Sequence, residues 1–101
     1  MTVRKAVLLA EEVLPGVPAP EGAEDPRWQR IIDIGEYVRS EPEAVWAFVE
    51  RWGSHEDADL RDAVATCLLE HLLEHHFESV FPRVERAAAA SPQFADTVGR
   101  C

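Results

Sequence analysis

The residues best equipped for chemistry lie in the run Glu70-His71-Leu72-Leu73-Glu74-His75-His76. Residues 71–75 have the spacing H-x-x-E-H. On a helix, residues four apart share a face, so the imidazoles of His71 and His75 can grip one zinc ion. Glu74 then stands within reach of a metal-bound water, and the chemistry would be metal-dependent hydrolysis. Two imidazoles do not complete a zinc site. A third ligand, ordinarily a distant carboxylate, and a substrate cleft are also needed, and the enzymes that use this motif are far longer than 101 residues. Helical projection gives a structural reading instead. His71 and His75 fall within the apolar arc beside Leu60 and Leu68, where they face a groove between helices and hydrogen-bond a carbonyl or carboxylate of another helix. That reading is preferred, and the metal site His71, Glu74, His75 stands as its alternative. His76 falls at the arc's other edge, near the helix end, where a partly positive ring suits the dipole.

Other side chains carry weaker signals. Arg61 also projects into the apolar arc; it is either an anion contact for a partner or, preferably, an internal link to the preceding turn or to a carboxylate such as Asp57. Trp28 and Trp52 fit core stripes, whereas Trp46 stands at a stripe edge, as an exposed anchor for a partner would. Glu41, Glu43, Glu50, Glu56, Asp57 and Asp59 gather around expected helix ends, where carboxylates suit the N-terminal charge and where a basic protein would be attracted. Trp46, Arg61, Glu43 and Glu50 are therefore the candidate partner-binding residues. No nucleophile–base pair stands out: Ser40, Ser54, Ser79 and Ser91 sit where caps are wanted, and Cys67 is expected buried and inert. There is no phosphate-binding glycine loop and no C-x-x-C pair, and no cofactor is expected.

Composition narrows the classes further. With 19 acidic against 10 basic residues the formal charge is −9, which repels phosphate backbones, and the arginines are scattered singly. Nucleic acid is not an expected partner. Val7-Leu8-Leu9 lies in an apolar run that Glu11-Glu12 interrupts before it reaches signal-peptide length, and nothing approaches the ~20 apolar residues of a membrane span. Two cysteines, Cys67 and a terminal Cys101 expected to be mobile, are read as unpaired thiols of a reducing compartment. A soluble cytoplasmic protein is the expectation, as a single domain over residues 1–101.

The positioning elements are helices. The longest uninterrupted apolar periodicity is Asp59–Phe77, with Leu60, Val64, Ala65, Cys67, Leu68 and Leu72 on one arc. Residues 3–14 repeat apolar side chains at helical spacing after a Thr2 cap, and Pro15-Gly16 stops them. Residues 15–24 hold three prolines and two glycines and read as an irregular connector. Asp25-Pro26 starts a helix with the stripe Trp28, Ile31, Ile32, Gly35 and Val38, where Gly35 admits a neighbouring helix. Ser40-x-x-Glu43 reads as a capping box opening a helix through Val45, Phe48, Val49 and Trp52 to Gly53. Ser54 with Asp57 is expected to cap the central helix. Pro82 predicts a break near 77–79, then a helix packing Val80, Phe81, Val84 and Ala88, and Ser91-Pro92 starts a last one. No segment alternates as a strand does, and the fold class is all-α.

Residues 31–69 carry a resemblance. An apolar helix, a turn with Pro42, a second apolar helix, then Asp59 and Arg61 opening a helix with the small residues Ala63 and Ala65 resembles the HEAT repeat family. The chain also resembles small stand-alone bacterial proteins of that kind. The resemblance implies a right-handed α-α superhelix-like stack of about five or six helices, and a scaffold or partner-binding surface without chemistry. About three repeats are usual for independent stability, so the terminal helices are expected either to cap the stack or to leave an end on which a homodimer forms. A related helical-repeat family excises alkylated bases from DNA, but this chain lacks the length and basic surface for that. The expectation is a non-catalytic interaction module whose partner is another protein, a basic one on the strength of the charge.

Overall fold

A computed structural model of the chain describes residues 1–14 and 26–101. The expected connector at 15–24 and the Asp25 cap lie outside the described residues. The described residues are helical without a strand: α1 (Val3–Val13), α2 (Pro26–Gly35), α3 (Pro42–Trp52), α4 (Ala58–Val64), a π-helical turn (Ala65–Leu69), α5 (Glu70–Ala90) and α6 (Pro92–Gly99). The radius of gyration, 12.7 Å, is that of a folded globule of about 100 residues. Among the described residues no helix is long and apolar enough to cross a membrane.

Capping side chains account for three helix starts. Thr2 Oγ1 accepts from the Lys5 amide at 3.2 Å, Asp57 Oδ1 from the Asp59 amide at 3.0 Å, and Ser91 Oγ from the Phe94 amide at 3.2 Å. The capping box expected at Ser40 does not form. Glu41 occupies the cap position of α3 without a side-chain hydrogen bond. Glu43 instead accepts two hydrogen bonds from Arg83, 40 residues away, as a bidentate charge-assisted pair.

The core lies where α2, α3, α4, the π turn and α5 meet. Ile31, Ile34, Val45, Val49, Val64, Leu68, Leu69 and Leu72 are fully buried. α1 packs on α2 and α3, and α6 packs on α4 and α5. The stripe of α2 differs from the expected one: Ile34 is buried and Ile32 exposed, so the buried line runs Arg27, Ile31, Ile34, Val38. Gly35 behaves as expected. A Cβ there would lie 3.1 Å from the carbonyl oxygen of Cys67, so the backbone of the π turn rests where the side chain is missing.

The π turn decides which side chains of the central helix face inward. The Glu70 amide bonds the Ala65 carbonyl, an i→i+5 link. Such a turn contains one residue more than an α turn, and each residue accounts for about 100° of rotation. Everything after Leu69 is rotated by roughly that angle from the straight projection. Leu69 turns into the core, whereas His71 and His75, expected in the groove, are exposed. Burying a leucine contributes about 1.5–3 kcal/mol, which offsets the poorer hydrogen-bond geometry of one π turn.

The same rotation turns His76 inward. Its backbone leaves helical geometry (φ −137°, ψ 39°) and kinks α5, one residue before the expected interval. His76 Nε2 lies 2.9 Å from the Val38 carbonyl oxygen, and Ser79 Oγ donates to the His76 carbonyl at 3.2 Å. The break therefore falls where a cross-helix bond and a hydroxyl take up the backbone and side-chain groups it frees. Pro82 lies inside the segment that follows.

Candidate interaction surface

Three of the four candidate partner-binding residues come together on one side of α3. Glu43, Trp46 and Glu50 are spaced at i, i+3 and i+7 and so share a helix face. Opposite stand Arg83, Arg86, Ala87 and Ala90 of α5. Trp46, Glu50 and these four α5 residues line an open groove of about 440 Å³, within the range of pockets that hold small ligands or anchor side chains. The small alanines of α5 are what leave this space between the helices.

Trp46 is a floor rather than the exposed anchor expected from its stripe-edge position. It is 6% exposed, and its ring meets Phe94 edge-on at 6.0 Å. Phe94 is itself fixed by close packing at Gly53, where a Cβ would come within 2.9 Å of the Phe94 ring. The rim is charged. Arg83 Nη1 and Nη2 reach the two Glu43 carboxylate oxygens at 2.6 and 2.9 Å. That hydrogen-bonded pair holds the Glu43 carboxyl below its ordinary range and lifts Arg83 above its own, with Glu50 adding a further negative field on Arg83. The arrangement offers an indole and methyl groups to an apolar side chain, with carboxylate and guanidinium groups around the edge.

The fourth candidate, Arg61, is not part of this surface. Its Nη1 donates to the carbonyls of His55 and Glu56 at 2.8 and 2.9 Å, and its Nε and Nη2 donate to Asp96 Oδ2 at 3.2 and 2.9 Å. The internal link, to the preceding turn and to a carboxylate, is as preferred from the sequence; the carboxylate is Asp96, where Asp57 stood as the example. Asp57 is occupied by Arg27, a residue the sequence reading passed over although it lies on the line of Ile31, Ile34 and Val38. Arg27 is 2% exposed and reaches Asp57 Oδ2 at 3.1 Å and Asp59 Oδ2 at 2.9 Å. Trp28 Nε1 donates to the same Asp59 oxygen at 3.2 Å. Burial pushes the Asp57 carboxyl up, but the Arg27 hydrogen bond, the Leu60 and Asp59 amides and the Arg27 charge together hold it below the usual range.

The histidine run is divided by the rotation described above. His71 and His75 stand on the surface, and His71 Nδ1 lies 3.6 Å from Glu74 Oε2. Among the described residues no group of three or more His, Cys, Asp or Glu side chains is placed to hold a metal ion. His71 also borders a second groove, of about 310 Å³, with Ile32, Gly35, Glu36, Thr66 and Cys67. Cys67 is half-buried there rather than fully enclosed, and burial pushes its thiol up, against a weak contact from Thr66 Oγ1 at 3.9 Å. A thiol held protonated is a poor nucleophile. Cys101 points its Sγ at the Ala65 carbonyl, 3.8 Å away, and both cysteines are free.

One surface feature was not anticipated. Phe81, expected on the packing side of its helix, is 39% exposed, and Phe77 is 54% exposed. Their rings stack at 4.8 Å with 17° between planes. The signal lay in the i, i+4 spacing of two phenylalanines just after the kink.

Comparison of the chain with models of known protein families, with characterised proteins and with solved structures gives no match.

Proposed function

We propose that this chain is a non-catalytic protein-interaction module, HEAT-like in its centre, that takes a segment of a basic partner against the groove between α3 and α5. The observation that carries the reading is the convergence of Trp46 and Glu50 with the alanine face of α5 around one open groove. An aromatic floor with a polar rim is the usual anatomy of an interface anchor site. The charge of −9 favours a cationic partner and speeds its encounter. The HEAT-like part of the proposal draws on the short turns at 36–41 and 53–57 that join α2, α3 and α4, as paired helices of a stack require.

Selection of displayed random peptides against the full chain tests the proposal. Enriched sequences should combine an apolar anchor with Lys or Arg. Their affinity should fall at least ~10-fold for Ala87→Trp, which fills the groove at a position of hot-spot weight. Acidic binders, or a set of enriched binders none of which is weakened by Ala87→Trp, would overturn it.

A further inference from the structure

We infer that the Phe77–Phe81 ridge of α5 is a second docking surface, built for a basic amphipathic helix. The two rings form one contiguous aromatic face, stacked at 4.8 Å and 54% and 39% exposed. Val80 and Val84, both 2% exposed, anchor this part of α5 to the core. Phe77 and Phe81 stand beside that anchor and present a sizeable apolar area to water, the mark of an interaction site.

The charges around the ridge define what covers it. Glu70, Glu74, Glu78 and Glu85 are all exposed, and Arg83 is the only Lys or Arg between residues 70 and 85. Arg83 is held by Glu43 at the groove, away from the ridge. Glu78 and Glu85 are seven apart and share a face, next to the line of Phe77 and Phe81. A covering partner must therefore bring apolar side chains for the rings and cations for the flanking carboxylates. A second copy of this chain brings the same glutamate row and a further −9, so like charges would meet. A phosphate backbone is repelled for the same reason.

The partner's backbone follows from that of α5. A helix surface has its amides and carbonyls already bonded, so it offers nothing to an extended strand. A partner helix satisfies its own backbone and sets its ridges against the i, i+4 ridge of Phe77 and Phe81. This surface goes beyond the groove proposal: residues 77 and 81 are not among those lining the groove.

The test is a titration of the isotope-labelled full chain with a synthetic amphipathic helix of leucine and lysine, followed by NMR, with a scrambled peptide and a leucine–glutamate peptide as controls. The expected result is saturable binding by the amphipathic basic peptide alone, with a set of shifts centred on residues 74–85 that is distinct from any at Trp46 and Ala90. Affinity should fall at least ~10-fold in Phe77→Ser/Phe81→Ser and in Glu78→Lys/Glu85→Lys, and stay unchanged in Ala87→Trp. The wild-type shift map stands by itself if a variant fails to fold. Equal binding by the Phe77→Ser/Phe81→Ser variant, shifts centred elsewhere, or equal binding of the scrambled peptide would overturn the inference. So would sedimentation showing a wild-type dimer that this double variant abolishes, because the ridge would then belong to a second copy.

Discussion

His76 Nε2 donates to the carbonyl oxygen of Val38 across 2.9 Å, tying the kink of α5 to the turn that follows α2. Val38 is 2% exposed, so its carbonyl has little access to water as a substitute donor. His76→Ala should therefore cost about 1–2 kcal/mol of stability, the penalty for a buried acceptor left unpaired. His71→Ala and His75→Ala should each stay within about 0.5 kcal/mol of wild type, as exposed positions do. Urea denaturation of the three variants checks the order; equal losses would contradict the rotation through the π turn.

The Arg27–Asp57 pair makes a pH-dependent contribution. The folded Asp57 carboxyl lies below its ordinary range, so the unfolded chain takes up the proton first as the solution is acidified. The stabilisation is fully present above the unfolded value of about 3.9 and is lost as the pH falls through the folded value. Asp57→Asn should be less stable than wild type at neutral pH, and the gap should close in acid. Asp57→Ala also removes the cap of α4 and should cost about 2–3 kcal/mol, since the Arg27 guanidinium would then be buried with one partner fewer. Denaturation midpoints across pH 2–7 follow both; a gap that widens in acid would contradict the assignment.

Gly35 is the position where α2 meets the π turn. Gly35→Ala gains at most ~1 kcal/mol of helix propensity, but its Cβ would press to 3.1 Å from the Cys67 carbonyl. That oxygen belongs to the backbone of the turn and cannot rotate away as a side chain does. A net loss of about 1 kcal/mol is expected, in line with modest overpacking. A stabilised Gly35→Ala variant would show that the π turn yields freely.

The exposed pair His71 and His75 should not hold zinc tightly. Metal content of the purified chain and titration with zinc alone, alongside His71→Ala/His75→Ala, measure this directly. The interaction reading predicts no stoichiometric, tightly retained metal. Tight one-to-one zinc that disappears in the double variant would promote the hydrolase reading of His71, Glu74 and His75.

Much of the architecture was legible because its signals are local. Thr2, Asp57 and Ser91 cap their helices from adjacent positions, and Gly35 marks a close approach wherever the neighbour comes from. The π turn was not legible. Nothing in Ala65-Thr66-Cys67-Leu68-Leu69 announces an extra residue; the turn is set by what packs against it. The straight-helix projection therefore placed His71 and His75 inside, put His76 only at the edge of the core-facing arc and left Leu69 off it. Long-range pairing misled in the same way at Glu43, which serves Arg83 rather than the start of its own helix. Glu43 and Glu50 were singled out for charge near helix ends and Trp46 for its stripe-edge position, and one helix face brings the three together. The facing residues Arg83, Arg86, Ala87 and Ala90 were missed because a separate helix supplies them.

The most direct test of the interaction reading is shift mapping of the labelled chain with a basic peptide enriched by display. The account predicts shifts at Trp46, Glu50, Ala87 and Ala90, and an affinity that weakens as salt is raised. Shifts centred on His71 and His75, or binding that salt leaves unchanged, would contradict it.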